Sequence, residues 1–325
     1  MFCKALPYLL LALLGGACVF AWKNQSSPAP LDVTQVSPAP ATRVASRVAP
    51  QPTRLDFLAD IGLPYQVRIT QLRNTLATEC SEPEIRFLYQ LLEKAPPKGE
   101  LPEHWYVIAN DIMTRILAHE TDPQRFSSNF IGLLNSTNQP EVIRDYSVQY
   151  LATWLNPRSA QATTSSLPTA SPEIAAQVLE SLAAATIDPS LEQSTIPGTT
   201  LMMLVDLKRS GSGVDCGQAI ATLKPWLGHA LQDGSTLSNP IRVSAVAAAG
   251  ILAPEEFRAL IRTIAYQESG GSSLRLPAIA AIGQAGDEAD LPKLHKIASS
   301  SPELTYAAQD ATASLASRLG LVGSK

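Results

Sequence analysis

Beyond Leu55, apolar residues recur along the chain at the three- and four-residue spacing of amphipathic helices, without the alternation that marks strands. The stretch LPAIAAIGQAGDEADLPKLHKI, residues 276–297, predicts two short helices joined by a turn at residues 283–287. Proline followed by an acidic residue precedes many such segments. This suits a helix start, because the first turn loses no amide partner and its dipole favours an anion. These pairs begin at Pro83, Pro102, Pro140, Pro172, Pro254 and Pro302. The pattern predicts an all-α fold.

The helical pattern repeats. From residue 274, an aliphatic residue and Arg275 are followed by Ala278-Ile279 and then by Ile282-Gly283, each pair four positions after the last. Similar orders begin at residues 143, 174, 241 and 304. Successive starts are thus separated by one period of roughly 30 residues, or by about two periods between 174 and 241. Arg144 and Arg242 hold the same position as Arg275. A single helical pair cannot bury its apolar face alone, so we expect the copies to stack.

This pattern resembles the HEAT-repeat family, in particular its short form related to phycobilisome-lyase repeats. The resemblance is carried by Arg275, Ala278, Ile279, Ile282, Gly283, Gly286, Asp287, Leu291, Pro292 and Leu294. It implies that residues 55–325 form a right-handed α-solenoid of stacked helical pairs, about six to eight in number. It also implies a non-enzymatic scaffold that binds other proteins. Some relatives of the lyase type act in bilin attachment, but no residue that carries that role is recognised here.

The N-terminal segment, residues 1–23, differs from the rest of the chain. The stretch from Ala5 to Trp22 carries no charged residue and is flanked by Lys4 and Lys23. This predicts an export signal or a membrane anchor. Three versions remain open: an uncleaved anchor, a cleaved signal that releases a secreted protein, and a lipoprotein attached through Cys18. Each places the body outside the cytoplasm, on the periplasmic or cell-surface side, and the style of the signal and linker favours a bacterial source.

Two further segments are low in apolar content. Residues 24–54 hold six prolines, which predicts an extended, semi-rigid linker. Residues 157–171, PRSAQATTSSLPTAS, are polar and predict either a long loop or a hinge within the repeat domain.

Composition supports a packed helical body and excludes one class of partner. Apolar residues make up 45% of the chain, charged residues 17% and aromatic residues 6%, a balance that favours close-packed helices over sheets. The formal net charge of −4 provides no broad basic field. We therefore expect no nucleic-acid partner.

Motifs for catalysis or for binding a metal or cofactor are not found. The chain contains no GxSxG, no P-loop and no Rossmann glycine pattern, and its four histidines have no metal-site spacing. His119 to Asp122 are interpreted as a helix end followed by a capping Asp. Cys80 and Cys216 are far apart along the chain, so stacked repeats would leave both thiols unpaired and largely buried. We expect no enzyme, no cofactor and no metal site.

Two groups of residues remain as candidates. Tyr146, Tyr150 and Trp154 are spaced i, i+4 and i+8, and Trp105-Tyr106 lies on another predicted helix. These aromatic residues either pack in the core or form a patch that anchors a protein partner. Arg144, Arg242 and Arg275 are interpreted as structural partners of neighbouring acids.

The sequence therefore predicts an exported, membrane-anchored scaffold for protein–protein interaction. Two alternatives stay open. One is a small-ligand binder or enzyme of the lyase-type group, which would retain a small molecule. The other is a structural spacer of the cell envelope, for which the Pro-rich linker is the only support.

Overall fold

The computed structural model describes residues 53–75, 78–94, 96–156, 165–267 and 271–321. Within these ranges the protein is all-helical and contains no strand, which confirms the predicted all-α class. The predicted signal or anchor, residues 1–23, lies outside the described residues, as do residues 24–52 of the predicted linker and residues 157–164 of the predicted loop or hinge.

The described residues form thirteen α-helices. They are α1 Tyr65–Asn74, α2 Glu82–Glu93, α3 Pro102–His119, α4 Pro123–Asn135, α5 Glu141–Leu155, α6 Pro172–Ile187, α7 Ile196–Ser210, α8 Gly217–Leu231, α9 Asn239–Leu252, α10 Pro254–Tyr266, α11 Ser272–Ala285, α12 Leu291–Ser300 and α13 Thr305–Arg318. Four 3-10 turns lie before or between them, at Asp56–Ala59, Pro189–Leu191, Glu288–Asp290 and Pro302–Leu304. None of the described helices is both long enough and apolar enough to cross a membrane.

Proline marks helix starts as predicted. The first turns of α2, α3, α6 and α10 hold Pro83, Pro102, Pro172 and Pro254. Pro140 immediately precedes α5, and Pro302 opens a 3-10 turn. Two other prolines, Pro225 and Pro277, lie inside α8 and α11, where sequence rules would end a helix.

Most helices pack against their second neighbour along the chain as well as their first. The odd-numbered helices α1 to α13 contact one another in succession, and α2, α4, α6, α8 and α10 do the same. The two series also pack in pairs, from α2 with α3 to α12 with α13. The described residues thus contain six helical pairs preceded by α1.

One predicted copy of the repeat is out of register. The copies that begin at residues 143, 241 and 274 lie on α5, α9 and α11 of the odd-numbered series, whereas the copy at residue 174 lies on α6 of the even-numbered series. The next odd-numbered helix after α5 is α7. Long connections precede both α6 and α7, which is why a fixed period fails in this part of the chain.

Small residues set the closest approach between odd-numbered helices. A Cβ on Gly250 would lie 2.4 Å from the Cβ of Ala281 on α11, and a Cβ on Gly283 would lie 2.8 Å from the Cα of Ala311 on α13. These contacts confirm that small side chains allow the helices to pack closely. Gly283 does not begin a turn, however. Helix α11 continues to Ala285, and Gly286 is its C-cap.

Arg144, Arg242 and Arg275 bind helix ends rather than acids. Their Nε atoms donate to the carbonyl oxygens of Leu134, Ala230 and Ala265, at 2.7, 3.0 and 3.2 Å. These carbonyls lie in the last turns of α4, α8 and α10, where backbone acceptors lack a partner within the helix. The expectation of acidic partners was wrong, because the carbonyls that end the preceding helix attract a cation in the same way.

Residues 165–171 run along the ends of two helices. The amide of Ser166 donates to the carbonyl oxygen of Ala118 at 3.0 Å, and the indole of Trp154 donates to that of Pro168 at 3.1 Å. Helices on the two sides of residues 157–171 also contact each other, since α4 and α5 both pack against α6.

Candidate functional site

Three of the five aromatic residues predicted to contact a partner lie in the core. Trp105 is 1% exposed, Tyr150 8% and Trp154 6%. The indole of Trp154 packs edge-on against Phe126, and the ring of Tyr150 packs against Phe130. The structure therefore corrects the partner-binding hypothesis for these three residues, because no partner can reach them unless the helices separate.

The hydroxyl of Tyr150 connects two odd-numbered helices. It donates to the carbonyl oxygen of Asn110 on α3 at 2.9 Å and shares a hydrogen bond of 2.6 Å with the hydroxyl of Thr114. Burial raises the pKa of Tyr150 to about 12, so the phenol is neutral near pH 7. Its role is to hold α5 against α3.

Tyr106 on α3 and Tyr146 on α5 are the two members of the set that reach the surface, where both are partly exposed. Burial is the main cause of the raised pKa of Tyr146, and the charge of Asp145 and the phenol of Tyr106 add to it. Burial and the charge of Glu103 raise the pKa of Tyr106. We refer to Tyr106, Tyr146, Glu103 and Asp145 as the tyrosine face.

Asp145 is the half-buried carboxylate of the tyrosine face. It accepts hydrogen bonds from the side chains of Thr199, of Gln149 at 2.8 Å and of Thr195 at 3.3 Å. Burial raises the pKa of Asp145 in spite of these bonds. In the part of the chain that the structure describes, no Lys or Arg forms an ion pair with it. A cation from outside the chain would find it unneutralised.

A fully buried carboxylate, that of Glu120, joins α2, α3 and α4. It accepts hydrogen bonds from Arg125 at 2.6 and 2.8 Å, from the hydroxyl of Tyr89 at 3.1 Å, and from the amides of Thr121 and Asp122. Five donors saturate both oxygens, so the group has a structural role. From the sequence we placed Glu120 near a helix end and did not predict this network, since a single Glu at a helix end matches no motif.

The carboxylate of Asp290 makes an equivalent network near the C-terminus. It accepts hydrogen bonds from Arg262 at 2.6 and 2.9 Å, from the hydroxyl of Tyr266 at 2.8 Å and from the amide of Asp287 at 2.9 Å. Asp287 itself caps the 3-10 turn Glu288–Asp290. The network fastens α10 to the connection between α11 and α12.

Two of the histidines occupy structural positions. His119 ends α3, and Asp122 caps α4 by accepting from the amides of Gln124 and Arg125, as predicted. The ring of His104 stacks on that of Tyr65 with centroids 3.8 Å apart. Among the described residues, no three His, Cys, Asp or Glu side chains are arranged to hold a metal ion.

A cleft of about 100 Å³ lies between Trp154, residues 165–170 and the connection that contains Ser212 and Val214. Pockets that enclose small-molecule ligands usually have volumes of roughly 300–1,000 Å³. This cleft is therefore too small for a typical cofactor or substrate.

Both cysteines of the described residues are free thiols. Cys216 is buried, whereas Cys80 is partly exposed and accepts a hydrogen bond from Arg115. The prediction of two unpaired, largely buried thiols is thus confirmed at Cys216, and Cys80, in the connection between α1 and α2, is unpaired and partly buried.

No protein-family model matches the chain, and no curated protein or solved structure matches it either.

Proposed function

We propose that this protein is a non-enzymatic scaffold whose residues 55–325 form a right-handed, HEAT-like α-solenoid, and that it binds a protein partner through the tyrosine face. The single observation that carries the proposal is the adjacency of Tyr106 and Tyr146, partly exposed on neighbouring helices beside an unpaired carboxylate.

The solenoid part of the proposal rests on repeated packing. Odd-numbered helices contact one another in succession, and glycine sits at the same point of contact in α9 and α11. An arginine from α5, α9 and α11 binds the end of the preceding helix each time. Such recurrence is typical of stacked repeats, which present long surfaces built from equivalent helices.

The chemistry of the tyrosine face favours a partner segment that carries Arg or Lys. Phenol rings attract cations through their faces and also provide contact area at a low cost in side-chain entropy. Glu103 and Asp145 supply negative charge beside the two rings. Ionised groups at such a surface steer a basic segment and determine its orientation.

Location is a separate part of the proposal. The uncharged stretch in residues 1–23 supports export and membrane anchoring, with the body on the extracytoplasmic side. The Pro-rich residues 24–54 would then hold the repeat domain away from the bilayer.

The test is crosslinked co-purification of the full-length protein from its own membranes, with proteomics and small-molecule analysis of the same eluate. We expect a stoichiometric protein partner whose crosslinks map to α3 and α5. We also expect the double variant Tyr106→Ala, Tyr146→Ala to lose that partner while it still unfolds cooperatively, at a thermal midpoint lowered by the loss of two partly buried rings.

The control is Tyr306→Ala on α13. Tyr306 is 85% exposed and lies far along the chain from the tyrosine face, so its removal should leave partner capture intact. Equal capture by the wild type and the double variant would refute the tyrosine face as the binding site. A retained small molecule without a protein partner would refute the scaffold function and favour a ligand binder.

A further inference from the structure

The thiol of Cys80 lies against a buried cation. Its Sγ accepts a hydrogen bond from the Nε of Arg115 at 3.1 Å, and the cysteine is partly exposed to solvent. Arg115 lies near the C-terminal end of α3 and is 0% exposed. A guanidinium is rarely buried this completely without a carboxylate partner.

No carboxylate neutralises Arg115 in the described residues. Its Nη2 donates to the carbonyl oxygen of Thr78, and its Nη1 is buried without any hydrogen-bond partner. It takes part in no ion pair with a described Asp or Glu. Glu84, whose charge raises the pKa of Cys80, already accepts hydrogen bonds from the side chain of Arg54 and from the amide of Ser81. The three charged side chains that act on Cys80, namely Arg54, Glu84 and Arg115, therefore sum to one positive charge.

An oxygen anion on the sulfur would supply the missing negative charge. The edge of the guanidinium formed by Nε and Nη2 faces Cys80 and Thr78, and a thiol brings to it no charge and only a weak acceptor. A sulfenate or sulfinate at the same position carries a negative charge and places an oxygen one bond beyond Sγ, towards the guanidinium. Hydrogen bonds between ionised partners are about twice as strong as neutral ones.

We propose that Cys80 is an oxidation site for hydroperoxides, at which Arg115 binds the oxygenated sulfur anion. The sulfur of the Cys80 thiolate attacks one peroxide oxygen, so that an S–O bond forms and the O–O bond breaks. The leaving hydroxide or alkoxide takes a proton and departs as water or alcohol. The sulfur loses two electrons, which reduce the peroxide. The sulfenic acid then releases its proton to solvent and pairs with Arg115, and a second equivalent of peroxide yields the sulfinate.

Cys216 provides the comparison within the same chain. It is buried, and its thiol contacts the carbonyl oxygen of Val214 at 3.7 Å instead of a guanidinium. Burial raises the pKa of both thiols; the charge and the hydrogen bond of Arg115 oppose that rise at Cys80, and the charge of Lys208 opposes it at Cys216. The two cysteines do not form a disulfide in the structure. A sulfenate on Cys80 therefore has no described thiol beside it with which to condense.

The experiment exposes the full-length protein to increasing hydrogen peroxide and traps sulfenic acid with a cyclic 1,3-diketone. Peptide mass spectrometry then measures the modification of each cysteine. We expect the diketone adduct, and later the gain of two oxygen atoms, at Cys80 at least about tenfold faster than at Cys216. Equal rates at the two cysteines, or faster modification of Cys216, would overturn the proposal.

A second measurement tests the role of Arg115 without altering it. Cys80→Asp places a fixed carboxylate beside the guanidinium, and Cys80→Asn is its neutral match in shape. We expect the thermal midpoint of Cys80→Asp to exceed that of Cys80→Asn by about 2–4 °C, and the peroxide-treated wild type to melt above the reduced wild type. If Cys80→Asp melts at or below Cys80→Asn, Arg115 does not bind an anion at this position and the inference fails.

Discussion

The backbone of Gly283 on α11 lies so close to Ala311 on α13 that there is no room for a side chain between them. A Cβ on Gly283 would lie 2.8 Å from the Cα of Ala311 and 3.1 Å from its Cβ and from its carbonyl oxygen. Backbone atoms cannot move aside as the end of a flexible side chain can. The contact therefore fixes the distance between two helices of the odd-numbered series.

Gly283→Ala should destabilise the protein although alanine is the better helix former. Because the new methyl group meets the α13 backbone, the helices must separate, at a cost of about 1–3 kcal/mol. Urea unfolding followed by circular dichroism measures the change. The matched control is Gly132→Ala in α4, where a Cβ would meet nothing within 4 Å. It should gain about 0.5–1 kcal/mol from helix propensity. A gain in stability at both positions would contradict the packing role of Gly283.

Arg275→Met should reduce stability by leaving a helix end without its donor. Arg275 is buried and donates to the carbonyl oxygen of Ala265 at 3.2 Å. A buried acceptor that loses its partner costs about 1–3 kcal/mol, which a comparison of urea midpoints detects. Arg86→Met is the control, because Arg86 is exposed and its ion pair among the described residues is with Glu82, one turn away. Its change should stay within about 0.5 kcal/mol. Equal effects would mean that the contact of Arg275 with the helix end is unimportant.

Local signals in the sequence predicted most of the helices correctly. Proline and acidic residues marked helix starts, because a helix start depends on a few neighbouring residues. The copy at residue 174 was out of register because period alone does not show which series a helix joins. The networks of Glu120 and Asp290 were missed because their tyrosine and arginine partners come from other helices, as Tyr89 does for Glu120.

The candidate site was predicted less well than the fold. An i, i+4, i+8 spacing puts Tyr146, Tyr150 and Trp154 near one face of α5, but that face borders both the core and the surface. Burial of Tyr150 and Trp154 depends on Phe126 and Phe130 from α4, which the spacing cannot reveal. Tyr146 stays partly exposed on the same helix.

Trp154→Ala should therefore impair folding rather than binding alone. Removing a large buried aromatic side chain leaves a cavity and costs about 3–5 kcal/mol. It also removes the donor to the carbonyl oxygen of Pro168, so we expect residues 165–171 to become more open to limited proteolysis. Tyr306→Ala, at an 85% exposed position, should change stability by no more than about 0.5 kcal/mol. If the Trp154→Ala protein were as stable as Tyr306→Ala, Trp154 would again be a candidate for contact with a partner at the surface.

Asp290→Asn should destabilise the protein in a way that depends on pH. Burial alone would raise the pKa of Asp290, but hydrogen bonds from Arg262, the Asp287 amide and Tyr266 outweigh it and hold the pKa below its usual value. A lowered pKa in the folded state means that the carboxylate stabilises the protein above its unfolded pKa of about 3.9. This stabilisation is lost as the pH falls through the folded value.

We therefore expect the free energy of unfolding of the wild type to exceed that of Asp290→Asn by about 1–3 kcal/mol at neutral pH, since the lost hydrogen bonds involve charged groups. The difference should stay constant down to about pH 4 and shrink below it. Thermal unfolding of both proteins across this range gives the comparison. A difference that is the same at every pH would show that the charge of Asp290 is not what stabilises the network.

Asp145→Asn should change the stability at neutral pH in the opposite direction. Burial raises the pKa of Asp145, so its ionised form costs stability, and this cost is present at neutral pH and disappears as the pH falls through the folded value. The neutral variant should consequently melt above the wild type at pH 7, and the melting temperatures of the two proteins should converge at acid pH.

The Asp145→Asn substitution should also weaken capture of a basic partner and the salt dependence of that capture, because it removes the unpaired charge of the tyrosine face. Asp290→Asn, measured in parallel, serves as the control for any general effect of converting Asp to Asn. If Asp145→Asn were less stable than the wild type at pH 7, the carboxylate would be a structural partner of Gln149 and Thr195, and it would not be held ready for binding.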